Sequence, residues 1–388
     1  MADVPIDGDA PAAGAPQSGL TQVMVAVSAL RRGLPTMIAG SKTTGPALVM
    51  AAAETIDAAL LARFAADADG RQTVVLSNAR ARELSGLATG GLAGDGLAGD
   101  RPAAVSARDG AFDLVSLRAL ADPTLPQDLP PLVMAPAPAS AGAALALLKQ
   151  AGLLPAAIIL TGGTSDPALD GPVTRAEDIL AYTAQSAAAL VKVSEAVVPI
   201  GRMADCRMIV FRAPGTGRDH LAILLGRPET VAEPLVRVHS ECFTGDLLGS
   251  LRCDCGAQLQ GAIERIAAEG AGAVLYLAQE GRGIGMANKL RAYTLQDRGL
   301  DTLDANRALG FDADERDFAV AAAMLRQLGL TRIRLLTNNP AKLAALAQHG
   351  VDVAGRVSLR FAANGVNDAY LATKMARFGH MLDEAGEP

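Results

Sequence analysis

Every cysteine and every histidine of this 388-residue chain lies after residue 200: Cys206, Cys242, Cys253 and Cys255, with His220, His239, His349 and His380. A chain that confines its metal-binding and nucleophilic side chains to one half folds most simply as two units, one chemically equipped and one not. Length agrees, because domains of ~100–200 residues make two the natural division. Aromatics follow the same split, with only Phe64, Phe112 and Tyr182 before residue 200. So does charge: residues 1–200 carry the whole net −6, and the remainder is neutral. Apolar residues make up 50%, enough for a core, but aromatics are 3% with no Trp, so Ala, Leu and Val must do the packing.

The expected organisation is an acidic, Ala/Pro/Gly-rich disordered tail at 1–18, a first domain at 19–200, a second at 201–382 and a short tail at 383–388. An acidic balance lacks the basic face of a nucleic-acid binder. No apolar run approaches ~18 residues, so no membrane partner is expected, and the start has no basic-then-apolar leader. A cytoplasmic protein is the expectation.

Periodicity reads as α/β throughout. Thr21–Arg32, Thr55–Ala66, Ala141–Gln150 and Glu177–Val191 are helical, and Thr73–Leu76 and Ala156–Leu160 are strands. Six prolines in Asp122–Pro138 exclude one regular element there, and a tandem GLAGD at 91–100 reads as a surface loop. In the second half, Arg207–Arg212 and His220–Leu225 read as paired strands about a turn at Pro214–Gly217. Leu235–His239, Ala273–Leu277 and Arg332–Leu336 are further strands. Gln258–Ala268, Met286–Arg298, Arg316–Leu328 and Pro340–Gln348 are helices.

The cysteines are spaced C-x10-C-x-C over Cys242, Cys253 and Cys255. Thiolates suit zinc, and three protein ligands leave a fourth position open, which is the catalytic arrangement. Two other readings stand beside it: a structural staple closed by His239, and a redox-active C-x-C pair. Ser240, Glu241, Thr244, Asp246, Arg252 and Asp254 crowd the cluster with more polar groups than a staple needs. Cys206, 36 residues upstream in a strand, reads as a core or surface thiol.

Three further segments carry polar groups. Gln279-Glu280-Gly281-Arg282-Gly283-Ile284-Gly285 follows a buried strand and precedes a helix, a layout that offers backbone N–H groups to an anion. Arg282 in that loop, with Lys289 and Arg291 in the next helix, suggests a site for several negative charges such as a polyphosphate. Asp312–Asp317 reads as a helix start, and Thr337–Lys342 stands at the C-terminal end of a strand, where α/β folds bind ligands. Taken singly, capping acids and an Asn-Asn-Pro turn would explain these last two.

Together the stretches VRVHSECFTGD, GSLRCDCGAQL, QEGRGIGMANKLRAYTLQDRGLDTLDAN, LGFDADERDF, LLTNNPAKL and NDAYLATKMARFGHML make residues ~200–382 resemble GTP cyclohydrolase II, the first enzyme of riboflavin biosynthesis. The resemblance implies zinc-dependent hydrolysis of GTP to 2,5-diamino-6-ribosylamino-4(3H)-pyrimidinone 5′-phosphate, formate and pyrophosphate. Cys242, Cys253 and Cys255 match the zinc ligands. Tyr293, Asp314 and Arg316 match the catalytic positions: a tyrosine beside the metal, a proton acceptor, and a nucleophile or electrostatic stabiliser at the α-phosphorus. Arg237, Val238, His239, Ser240, Glu241, Gln258, Glu280, Gly281, Arg282, Thr302, Thr337 and Lys342 match substrate-binding positions. Glu280 is suited to guanine's N1–H and 2-amino group, and Lys342 to a phosphate. Mg2+ on the triphosphate and a homodimer are also implied. Ala278 and Ala287 depart from the family's usual residues outside these positions. A related GTP cyclohydrolase of another pathway, or a non-catalytic zinc- and nucleotide-binding protein, are the alternatives.

ALRRGLPTMIAG, MAAAETIDAALLARF, AGLLPAAIIL and RAEDILAY make residues 19–200 resemble a degenerate 3,4-dihydroxy-2-butanone 4-phosphate synthase domain. That family needs carboxylates after its first strand, where this chain has Ala39–Pro46 without one. It also needs a Gly-His-Thr-Glu-type segment, where this chain has Ala137–Gly142. The expectation is a domain without synthase activity, kept for a structural or dimerising role.

Overall fold

The computed structural model describes residues 19–359 apart from 69–70, 86–87, 92–100, 109, 202–204 and 215, together with Gly365 and Arg377. The tails at 1–18 and 383–388, and nearly all of the GLAGD repeat and of the stretch 367–382, lie outside the described residues.

The first half builds a mixed sheet of eight strands: β1 (Thr36–Ile38), β2 (Leu48–Ala52), β3 (Thr73–Leu76), β4 (Ala88–Gly91), β5 (Ala103–Ala107), β6 (Leu132–Pro136), β7 (Ala156–Thr161) and β8 (Val173–Thr174). Their order across the sheet is β4-β6-β5-β3-β7-β2-β1-β8. Successive residues of a strand point to opposite faces, and β2 shows why both faces must be covered. Leu48, Met50 and Ala52 enter one core with α1 (Gly19–Arg31), α5 (Ala141–Ala151) and α6 (Ala176–Ala188). Val49 and Ala51 enter another with Phe64 of α2 (Ala58–Asp67) and Leu117 of α4 (Leu114–Ala121). Gly152, at φ 71°, terminates α5.

That second core does not belong to the first half alone. Ala292 and Leu295 of α8 (Met286–Asp297), Ala305 and Ala308 of α9 (Thr302–Ala308), and Phe311 pack into it from the second half. Phe311 is fully buried, and truncating such a side chain costs about 3–5 kcal/mol. The two halves therefore share a core rather than meeting at a wet interface.

The second sheet has seven strands: β9 (Val191–Val197), β10 (Cys206–Arg212), β11 (Asp219–Leu225), β12 (Leu235–Ser240), β13 (Gly272–Leu277), β14 (Arg332–Leu336) and β15 (Asp352–Val357). Their order is β15-β14-β12-β13-β11-β10-β9. β13, β12, β14 and β15 run parallel, while β9, β10 and β11 are antiparallel. Helix α7 (Cys255–Ala268) covers one face; α10 (Ala319–Gln327) and α11 (Pro340–Gln348) cover the other. The parallel strands thus end side by side, and the loops after β12, β13 and β14 open on one edge.

Two elements differ from the sequence reading. Helix α6 stops at Ala188, and Val191, expected as the last residue of that helix, instead opens strand β9 (Val191–Val197) of the second sheet. Its β-branched valines extend readily, and pairing with β10 supplies the ladder a helix end would lack. The helix expected from Arg316 begins only at Ala319. Asp317 accepts the Ala319 N–H (2.6 Å), while Asp314 and Arg316 pair with each other, so the acidic run is a loop whose side chains compete with the helix for hydrogen bonds. No helix among the described residues is long and apolar enough to cross a membrane.

Candidate active site

The thiols converge where β12 ends. Cys242 leads into a single π-helical turn, Phe243–Leu247, and Cys255 opens α7, so two unrelated elements bring their sulfurs together. The three ligand atoms lie within 4.8 Å of one another, and the Sγ atoms of Cys242 and Cys253 are 3.7 Å apart. Tetrahedral zinc with Zn–S bonds of ~2.3 Å spaces its sulfurs about 3.8 Å apart, so the residues fit the ion. Gly245 forms the floor. A Cβ there would stand 2.7 Å from the Cys253 sulfur and 3.1 Å from that of Cys242. Gly245→Ala is therefore expected to lower zinc affinity at least ~10-fold with the fold retained, which equilibrium titration against a chelator of known affinity measures.

The chain prepares this cluster electrostatically. Hydrogen bonds from Cys253 and Cys255, together with the Lys289 ammonium, hold Cys242 as a thiolate well below the ordinary thiol range. Lys289 Nζ is 3.0 Å from that sulfur, 2.9 Å from Thr244 Oγ1 and 2.8 Å from Glu280 Oε1. Glu280 is turned inward as well, since its Oε2 accepts the Phe243 N–H (2.7 Å) and its Oε1 the Gly281 N–H (2.8 Å). Sequence suggested a polyphosphate contact for Lys289 and a guanine contact for Glu280; here both carry the wall of the thiol cluster.

His239 does not close the cluster. Its Nε2 lies 3.1 Å from both oxygens of Asp246, and its ring stacks on Tyr276 at 5.6 Å. Burial pushes its pKa down, so the ring is neutral. Asp246 also accepts the Tyr276 hydroxyl and the Cys242 N–H, both at 2.9 Å. The structural staple expected as one alternative is thus absent among the described residues, and three thiols face an open side. Sequence reading passed over Tyr276. Its signal is register: His239 and Tyr276 are direct partners across the parallel pair β12 and β13.

The remaining walls come from the loops after β13 and β14, and from α8 and α9. Glu280–Gly283 is a 3₁₀ turn with Gly281 at φ 62° and Arg282 at φ 61°, the latter the one non-glycine among the described residues with positive φ. One cleft is lined by Arg237, His239, Ser240, Glu241, the three cysteines, Gln258, Glu280, Gly281, Arg282, Tyr293, Thr302, Arg316, Thr337 and Lys342. Two of the expected residues do not line it. Val238 is a core residue whose carbonyl accepts from Lys342 Nζ (2.8 Å), and Asp314 stands behind Arg316, accepting from its Nε (2.7 Å). Gln296 and Asn306 line the cleft without having been singled out for it.

Beyond Lys289, the cleft is lined by the cations Arg237, Arg252, Arg282, Arg316 and Lys342. Arg316 and Lys342 both lie over the Phe318 ring, at 5.7 and 5.6 Å. Burial lowers the Arg237 pKa to about 10, leaving it charged; it donates to the Leu336 carbonyl (3.0 Å) and to Gln258 Oε1 (2.5 Å). Burial alone would raise Asp314, but the Arg316 guanidinium outweighs it and keeps the carboxylate ionised. Arg291 points away, to Asp122 and Glu54 of the first half. Cys206 is fully buried, and desolvation raises its thiol.

Comparison with known proteins agrees with this geometry. The family model for GTP cyclohydrolase II matches residues 191–358, beginning at the first residue of β9. GTP cyclohydrolase-2 of Azospirillum brasilense is 43% identical over 390 residues, covering 98% of this chain and all of that protein. GTP cyclohydrolase-2 of Enterobacter sp. (strain 638) is 51% identical over 195 residues, half of this chain and 99% of that one. A solved two-domain 3,4-dihydroxy-2-butanone 4-phosphate synthase from A. baumannii aligns over 88% of this chain and 99% of its own at 17% identity, with a TM-score of 0.30. It is the relative matched from end to end, together with motifs that meet in a single cleft, that decides the matter: the chain belongs to the GTP cyclohydrolase II family of hydrolases.

Proposed function

We propose that the cleft binds GTP with its guanine imidazole ring at the thiol cluster and its phosphates along Arg316, Lys342 and Arg282, and that the chain releases formate and pyrophosphate from it. The observation that carries this reading is that one cleft is lined both by the three sulfurs and by the cations Arg282, Arg316 and Lys342. A zinc ion at the sulfurs would supply the Lewis acidity that makes water a nucleophile at neutral pH. The chain's own residues do the rest. Tyr293 lines the cleft beside the cysteines and orients the ring or the attacking water. Arg316 meets the charge that develops as pyrophosphate leaves, and Asp314 aims it. A guanidinium that remains protonated suits electrostatic stabilisation better than attack on phosphorus. Glu280 and the half-buried Glu241 both line the cleft and are the acids placed to meet guanine's N1–H and 2-amino donors. Mg2+ on the triphosphate and a homodimer follow from the resemblance alone, and a cytoplasmic setting from the sequence's lack of an export leader; they complete the reading.

We also propose a division near residue 190, and a first half without synthase chemistry. Its segment Ser41–Gly45 closes on itself through two backbone bonds of 2.9 Å, and Ser41 Oγ is spent on Thr43 and Thr44. Purified protein with GTP, Zn2+ and Mg2+ should yield formate and pyrophosphate, and a chelator should stop formate. Pyrophosphate without formate would indicate a related cyclohydrolase, and neither product a nucleotide-binding protein. Dihydroxybutanone phosphate formed from ribulose 5-phosphate would overturn the reading of the first half.

A further inference from the structure

We infer that the first half is a brace for the catalytic centre, with Arg291 as a positioning residue on α8 and Lys149 as a second anchor at the neighbouring loop. This rests on Lys289 and Tyr293 belonging to that centre.

Helix α8 has two working faces. Lys289, Tyr293 and Gln296, spaced by four and three, line the cleft. Asn288, Arg291 and Leu295, spaced by three and four, turn to the first half. Residues three and four apart share a helix face, so whatever fixes one row fixes the other. Leu295 packs in the core shared with the first sheet. Asn288 Nδ2 donates to the Gly152 carbonyl (3.3 Å), and Arg291 Nη1 donates to Asn288 Oδ1 (2.7 Å). Arg291 Nε donates to Asp122 and its Nη2 to Glu54, both at 2.8 Å.

The two carboxylates are themselves held. Glu54 Oε2 accepts the Leu154 N–H (2.8 Å), and Asp122 Oδ1 accepts the N–H and the hydroxyl of Thr124 (2.9 and 2.6 Å). The Arg291, Glu54 and Asp122 side chains are only 22%, 20% and 10% exposed, so this is a fixed, charge-assisted junction rather than a mobile surface ion pair.

The second anchor reaches the other catalytic loop. Lys149, in the last turn of α5, pairs with Glu315 (2.5 Å) and Asp312 (2.9 Å). The Glu315 N–H donates to the Arg282 carbonyl (3.0 Å), and Arg316 is the next residue. A shift of the first half against the second is therefore delivered to α8 and to the two loops that carry Arg282 and Arg316. A half with no reaction of its own thereby acts on the reaction.

The test uses the full-length zinc-loaded chain and follows formate release. Arg291→Met should lower kcat ~10–100-fold while KM for GTP moves less than ~3-fold and zinc content stays unchanged, as displacement of catalytic groups from productive geometry requires. Glu54→Gln with Asp122→Asn should lower kcat by a similar factor, and adding Arg291→Met to that pair should change little more. Arg291→Lys should recover part of the loss, and it gives the same readout should Arg291→Met not fold. A lowered Tm with unchanged kcat would make the junction merely structural and overturn the proposal. A raised KM with unchanged kcat would also overturn it, returning Arg291 to the polyphosphate role its sequence position suggested. Full activity in Lys289→Met would instead detach α8 from the catalytic centre, a failure of the underlying site assignment.

Discussion

Cys253→Ser should abolish formate release from GTP and leave bound zinc far below one ion per chain. Serine nearly preserves volume at this buried position, so the π-turn and α7 should stay in place and the Tm should fall little. What changes is the donor. An alcohol is not deprotonated near neutral pH and is a hard, poor ligand for zinc, which leaves two thiolates where three are needed. Losing a ligand itself should cost more than the 10–100-fold typical of losing a ligand's supporting partner. Metal analysis after gel filtration, beside a formate assay, reads both quantities on one sample. Normal zinc content with normal formate would remove Cys253 from the ligand set. Because Cys206 is buried in β10 among Ile223, Leu225 and Leu235, it cannot substitute without unfolding the sheet.

The second large effect is expected at Lys289. Its ammonium bridges the Cys242 sulfur and the buried Glu280 carboxylate, so Lys289→Met strips both of their counter-charge. Removing one member of a buried pair costs about 3–5 kcal/mol, because the other is left charged in a poor solvent. Stability should fall by that order, and kcat/KM by roughly 100-fold or more as Cys242 loses its stabilising charge. The paired variant Lys289→Met/Glu280→Gln separates the two consequences. It should recover most of the stability, since no lone carboxylate remains, and little of the activity. Denaturant melts beside formate kinetics make the comparison. Recovery of activity along with stability would reduce Lys289 to a packing partner.

How much of this could be read in advance depends on how local each feature is. The thiol set was legible because chemistry fixes it: three soft ligands within fourteen residues have few other uses. The strands ending at His239, Leu277 and Leu336 were legible from short buried runs, and with them the edge on which the site opens. Direction was not legible. Glu280 has the charge and place for a base contact and lines the cleft, but its further bonds to Phe243, Gly281 and Lys289 could not be read from the sequence. Nothing in Met286–Asp297 says which way each cation faces, because both faces of α8 are working faces and the usual contrast of apolar and polar sides is missing. The loop 312–318 misled for a related reason. Acids before an apolar run normally cap a helix, and here Asp314 is spent on Arg316 instead. Strand β9 was missed because an exposed edge strand shows no buried alternation to find.

The left-handed backbone at Arg282 sets two selections against each other at a single residue. A side chain in that conformation costs roughly 1–2 kcal/mol that glycine would not, and asparagine less than most. A glycine there would relieve that cost and remove a guanidinium from the cleft. Stability gained elsewhere in the fold can offset that cost while keeping the guanidinium. The first half, packed into a broad shared core, offers room for such gains at positions away from the Arg291 and Lys149 junctions.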